Sequence, residues 1–164
     1  MHPGNLFQIT GGFKGQRETI FDVMSYCVDE MLPRHRSLDI TVDIGDYEAK
    51  EGVMGQCLHV HGNEFFVDID SKQNLYNLIL TTCHEMVHVK QYARKELTEQ
   101  QLVSSWKGKI FTDARCFPWE REAWDMQKPL AHKYIRSRYN KPIKVLKELD
   151  KRFIRVHNNG ILKE

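Results

Sequence analysis

The stretch from Leu75 to Lys95, LYNLILTTCHEMVHVKQYARK, limits what the chain around it can become. At about 100° per residue, Leu75, Leu78, Ile79, Thr82, Met86, Val89 and Ala93 gather on one side of a helix. His84 and His88 stack one above the other on nearly the opposite side. Such a helix buries its apolar stripe in a core and carries two imidazoles away from that stripe. Two nitrogens on successive turns suit a zinc ion, which takes imidazole nitrogen at about 2.0 to 2.1 Å. Glu85, one step round from His84, can stand beside water at such a site and accept its proton. The bland alternative is a pair of satisfied, half-buried histidines.

Two histidines do not complete a metal site, so a further ligand must come from elsewhere. Pro118-Trp119-Glu120-Arg121-Glu122-Ala123-Trp124 reads as a helix start, because proline is tolerated in a first turn and acidic residues suit its positive end. Ala123, Trp124, Gln127 and Ala131 fall within about 60° of Glu120, which puts Glu120 on the inward face. Glu122 falls about 160° away, on the face expected to meet solvent. A carboxylate turned inward needs a partner to offset its desolvation, and a cation facing it supplies one. Glu120 is therefore the expected third ligand, with Glu122 the less favoured choice. Ala123 is the small residue that lets the two helices approach.

The paired motifs resemble the gluzincin class of zinc peptidases in its small single-domain form, the minigluzincins, and more loosely the metallopeptidase domains of radiation-response regulators and of SprT-like proteases. The likeness spans about Phe65 to Ala131. It implies an α+β, zincin-like single domain with a small mixed sheet, a metal-binding helix and a C-terminal helical part. It also implies one Zn2+ per chain on His84, His88 and Glu120, with Glu85 as base and a peptide or protein as substrate. Larger families of the class place Asp or Asn four residues after the glutamate ligand, where this chain has Trp124. That departure leaves the orientation of His84 or His88 without an explanation in the sequence. Related peptidases often set a Tyr or His near the bound carbonyl to stabilise the oxyanion. Tyr134 and His132 are the candidates, weighed against core or surface roles.

With 164 residues, 41% of them hydrophobic, one domain with a sufficient core is expected. The division is a flexible segment over 1–16, the domain over 17–158 and a tail over 159–164. Gly11, Gly12 and Gly15 disfavour regular structure near the start. Arg17 to Leu32 has helical spacing and ends at Pro33, and Leu38 to Ile44 alternates as a half-buried strand. Residues 45–56 read as a turn-rich, acidic lid or tip. Cys57-Leu58-His59-Val60-His61 alternates again; Leu58 and Val60 are expected inward, and the rival reading is a metal site on Cys57, His59 and His61. Gly62-Asn63 then turns the chain into Phe65 to Asp70, the strand that the resemblance offers as a substrate-binding edge. Asp70 or Ser71 is the expected cap of the histidine helix. Pro129 predicts a kink or a fresh helix start.

Four scattered cysteines, with no C-x-x-C pair, do not suggest a disulfide framework. The opening residues lack a signal peptide, and no run of about eighteen apolar residues occurs. A cytoplasmic protein without membrane contact is the expectation. Formal charge is only +2, but Glu18 to Asp70 holds twelve acidic residues against three Lys or Arg, while Lys128 to Arg155 holds ten basic against two acidic. The expected final helix, 142–155, would carry a basic ridge capable of weak, nonspecific nucleic-acid contact. A catalytically silent regulatory protein on the same fold is the alternative to hydrolysis, and the intact Glu85 argues against it.

Overall fold

The computed structural model describes residues 1–101, 103–112, 117–139 and 143–144. The elements run β1 (Leu6–Gly11), α1 (Lys14–Met31), β2 (Asp39–Gly45), α2 (Tyr47–Glu51), β3 (Gly55–His61), β4 (Glu64–Asp70), α3 (Leu75–Ala93), β5 (Leu97–Gln100), β6 (Val103–Trp106), β7 (Lys109–Phe111) and α4 (Pro118–Tyr139). This is a mixed α+β chain.

Four strands form one mixed sheet in the order β1-β2-β4-β3. β1, β2 and β4 are parallel, and β3 returns antiparallel to β4. Alternation puts Ile40, Val42 and Ile44 of β2 beside Phe65, Val67 and Ile69 of β4, all buried on one face. Against that face pack Ile20, Val23, Met24 and Cys27 of α1 and Leu78, Ile79, Cys83 and Met86 of α3. The apolar stripe read from the sequence of α3 is thus its anchor in the core. Cys27 and Cys83 are both free and buried, with Sγ atoms 3.9 Å apart. β5, β6 and β7 form a separate antiparallel sheet between α3 and α4 in the chain.

Several expectations are corrected. Residues 1–16 are not a loose segment: β1 pairs with β2 along its full length, and α1 begins at Lys14. Its glycines serve the exit from the strand. Gly11 has φ 79°, and a Cβ there would stand 2.1 Å from the Ile44 carbonyl oxygen, so only glycine permits the turn into α1. Residues 45–56 contain the short helix α2, whose Glu48 N–H donates to Asp70 Oδ1 at 2.9 Å. Asp70 is thereby occupied, and the cap of α3 is Asn74, whose side chain accepts from Asn77 N–H at 2.7 Å. Pro129 does not interrupt α4, which continues through it to Tyr139.

The β3–β4 hairpin forms, but its faces are the reverse of those expected. Cys57 is opposite Val67 and His59 is opposite Phe65, so Cys57 and His59 share the inward face while Leu58 and Val60 are exposed. β4 is also not an edge: it lies between β2 and β3, leaving β3 at the border of the sheet. The expected final helix and its basic ridge lie outside the described residues except at Ile143 and Lys144, as does the 159–164 tail. No helix among the described residues is long and apolar enough to cross a membrane.

Candidate metal centre

His84 and His88 leave α3 on adjacent turns and meet Glu120 in the first turn of α4. His84 Nε2 lies 2.8 Å from Glu120 Oε1, and His88 Nε2 lies 3.2 Å from Glu120 Oε2. One ligand atom from each residue falls within 4.8 Å of the others, a group that can hold a metal ion. Ala123, fully buried, sits where α4 passes α3. Two ligands held at about 2.0 to 2.2 Å by one tetrahedral ion lie roughly 3.3 to 3.6 Å apart, so the 3.2 Å pair is near that spacing and the 2.8 Å pair would open slightly around an ion.

The histidines are held by glutamines from behind. His84 Nδ1 is 2.9 Å from Gln127 Oε1, and His88 Nδ1 is 2.9 Å from Gln91 Oε1. Gln91 uses its amide nitrogen to donate to the Trp119 carbonyl at 2.8 Å, which fixes its oxygen toward His88. Nδ1 of His88 then carries a proton, and Nε2 is the nitrogen left to face the Glu120 carboxylate. Two electron-rich atoms facing one another require a proton or a cation between them. This donor set therefore suits a metal ion, and second ties of this kind set the tautomer of metal-ligating histidines generally. Gln127 supplies the support for His84 that the sequence, with Trp124 in place of an Asp or Asn, left open.

Electrostatics follow the same arrangement. Hydrogen bonds from His84 and His88 hold the Glu120 carboxyl well below the usual carboxylate range, against the opposing effect of burial. Burial disfavours charge on His88, but Glu120, Glu85 and Gln91 together outweigh it and raise its pKa. Glu85 is buried, and desolvation pushes its carboxyl up to about 7, although His88 and His84 pull the other way.

Glu122 does not face solvent as expected. Its carboxylate accepts from Lys90 Nζ at 2.7 Å and from Gln91 Nε2 at 3.2 Å. It braces α4 on α3 and is absent from the metal-binding group. Tyr134 is likewise not beside the histidines. It stands fourteen residues beyond Glu120, roughly 21 Å along a helix, only 2% exposed, with its hydroxyl donating to Asp22 of α1 at 2.6 Å. His132 meets Tyr76, its Nε2 lying 2.8 Å from the tyrosine oxygen. Cys57, His59 and His61 form no metal cluster among the described residues. His59 stacks on Tyr92 at 4.7 Å, and exposed His61 pairs with Glu64 at 3.3 Å.

Two cavities flank Glu85. The first, about 450 Å³, is lined by Val53, Met54, Leu80 and Trp124 and opens on His84, Glu85 and Glu120. The second, about 260 Å³, includes Gln56, Cys57, Tyr92 and His88 and shares His84, Glu85 and Glu120 with the first. Gly55, the first residue of β3, borders both. A Cβ there would stand 2.7 Å from Thr81 Cγ2 and 3.0 Å from Glu85 Oε1, so the edge strand approaches the carboxylate as closely as backbone allows. Sequence reasoning missed Gln91 and Gly55. Gln127 was visible as an inward-facing partner of Glu120, and Gln91 follows His88 by three residues on the same helix.

Compared with protein-family models, with curated proteins and with solved structures, the chain matches none.

Proposed function

We propose that the chain is a zinc-dependent hydrolase of peptide bonds, of the small gluzincin-like kind that its paired motifs resemble. The observation that carries this reading is the convergence of His84, His88 and Glu120 beside a buried Glu85, at the junction of two open cavities. His84 Nε2, His88 Nε2 and the Glu120 carboxylate would hold one zinc ion per chain. Zinc, when bound, supplies Lewis acidity toward a carbonyl oxygen and water.

The remaining chemistry belongs to the chain. Glu85 does not meet the shared point of the three ligands and is free to accept a proton from water in the cavity, then return it to the departing amine. Gln91 and Gln127 keep both imidazoles turned so that Nε2 faces inward. Among the described residues no strand pairs with the outer edge of β3, which passes the site at Gly55 and suits an extended peptide added as a further strand.

The test is a broad peptide-library cleavage screen with wild type, chelator-treated wild type and zinc-loaded E85Q. Cleavage by wild type that vanishes on chelation and falls about 10²- to 10⁴-fold in E85Q is expected. Undiminished cleavage by E85Q removes Glu85 from the mechanism. Zinc retention with no cleavage across the library puts the regulatory reading ahead of the hydrolase.

A further inference from the structure

We infer that Trp124 is the principal substrate-contacting wall of the first cavity, and that the chain selects a large apolar side chain next to the cleaved bond. The inference rests on the reading of the cleft as a peptide site and adds to it the class of residue bound. Trp124 is 62% exposed although it is the largest apolar side chain at this opening. Its indole stands edge-on to the His84 ring, with centroids 5.3 Å apart. It is therefore held beside the metal-binding group with most of its surface in water.

Nothing in the support of the site requires an indole there. Gln127 already orients His84, so the position has no polar task. Across the cavity stand Val53, Met54 and Leu80, which gives the space an apolar lining on several sides. Two of the polar side chains at this opening are occupied: Gln73 donates to the Met54 and Asp70 carbonyls at 3.1 and 3.0 Å and accepts from the Thr81 hydroxyl at 2.5 Å. A carboxylate entering here would lose water beside the Glu85 and Glu120 carboxylates and against an apolar wall, at a cost that favours its exclusion. An aromatic or long aliphatic side chain would cover the indole and fill part of about 450 Å³. The occupant is a side chain rather than a free apolar ligand, because the cavity is bordered by Gly55 of β3, whose outer edge no described strand covers and where an extended backbone would lie.

The experiment reads binding and does not depend on turnover. Zinc-loaded protein is titrated with the N-acetyl amides of phenylalanine, leucine, alanine and aspartate, and binding is followed by amide and indole NMR shifts. Phenylalanine and leucine amides should bind at least about tenfold more tightly than alanine amide, as expected for covering one large apolar side chain, and should move the Trp124 indole signal. Aspartate amide should bind no better than alanine amide. W124A, with folding checked by thermal melting, should reduce the preference to within about twofold, and W124F should keep part of it. Equal binding of all four amides, or an undiminished preference in W124A, overturns the inference. If W124A fails to fold, L80W, which fills the same cavity, supplies the decision: unchanged phenylalanine binding overturns the assignment. Side-chain preference without any library cleavage would sustain Trp124 as an apolar peptide-binding wall while putting the regulatory reading ahead of the hydrolase, so the two failures are distinguishable.

Discussion

Gln91 Oε1 accepts from His88 Nδ1 at 2.9 Å while its amide nitrogen donates to the Trp119 carbonyl, so a residue of α3 sets the tautomer of its own neighbour using α4 as reference. Replacing Gln91 by leucine removes the anchor that keeps His88 Nε2 directed at Glu120. Metal affinity, measured by competition with a chromophoric chelator, should fall about 10- to 100-fold in Q91L. An unchanged affinity in a folded Q91L would show that His88 needs no such support.

The two glutamates of α4 divide into separate tasks. Glu120 meets both imidazoles, whereas Glu122 meets Lys90, a side chain that is 8% exposed. E120Q should lose most bound zinc. E122Q should retain it and instead lose roughly 1.5 to 3 kcal/mol of stability, the usual range for a hydrogen bond to a charged group. Metal analysis and denaturant unfolding of the two variants separate these outcomes, and zinc loss in E122Q with retention in E120Q would reverse the assignment.

The parts of this site that were legible in the sequence are those fixed within one helix. His84 and His88 share a face by spacing alone, and the stripe through Leu78, Ile79 and Met86 fixes which face is buried. Glu120 was legible because Pro118 marks where α4 begins. Glu122 was misread because its partner, Lys90, is on another helix, and helical angle says nothing about a cation brought in from outside. The hairpin faces were misread for a related reason: the alternation of Leu58 and Val60 fits either orientation, and register with Phe65 and Val67 decides. β1 was obscured by glycines that end it. Gln91 carried only its spacing of three from His88, and a glutamine that anchors an imidazole is spelled like one that faces water.

Gly55 is the position where the edge strand has no room for a side chain. In G55A the new methyl would meet Thr81 Cγ2 at 2.7 Å and Glu85 Oε1 at 3.0 Å, forcing one of them to move. G55A should lose about 1 to 3 kcal/mol of stability, as overpacking does, and its turnover should fall with Glu85 displaced. T81S removes Cγ2 while keeping the hydroxyl that donates to Gln73. The double variant G55A/T81S should therefore recover much of the stability but not the turnover. Recovery of both would show that the Thr81 contact alone was responsible and that Glu85 had not been disturbed.

Tyr134 offers the clearest pH dependence away from the metal-binding group. Burial first, and then the hydrogen bond to Asp22, hold its phenol well above the ordinary value near 10. In the unfolded chain Tyr134 loses its proton near pH 10, whereas in the folded chain it keeps it. Above that pH the unfolded state binds fewer protons, so the contribution of Tyr134 is fully present below about pH 10 and is lost as pH rises toward the folded pKa. Y134F lacks both the bond to Asp22 and this titration. At pH 8 it should be less stable than wild type by about 1 kcal/mol, and by pH 11 the gap should have closed or inverted. Tyr47 and Tyr92 also have raised values, but they pack elsewhere, on Asp43 and Glu99, and act equally on both proteins. Denaturant unfolding from pH 8 to 11 measures the gap directly, and a constant gap would contradict a buried, protonated Tyr134. Because its hydroxyl is committed to α1 and does not face the cavities, Y134F should also turn over substrate within about twofold of wild type. Losing an oxyanion donor would cost about 10²- to 10³-fold instead, and a loss of that size would restore the catalytic role that the placement of Tyr134 removes.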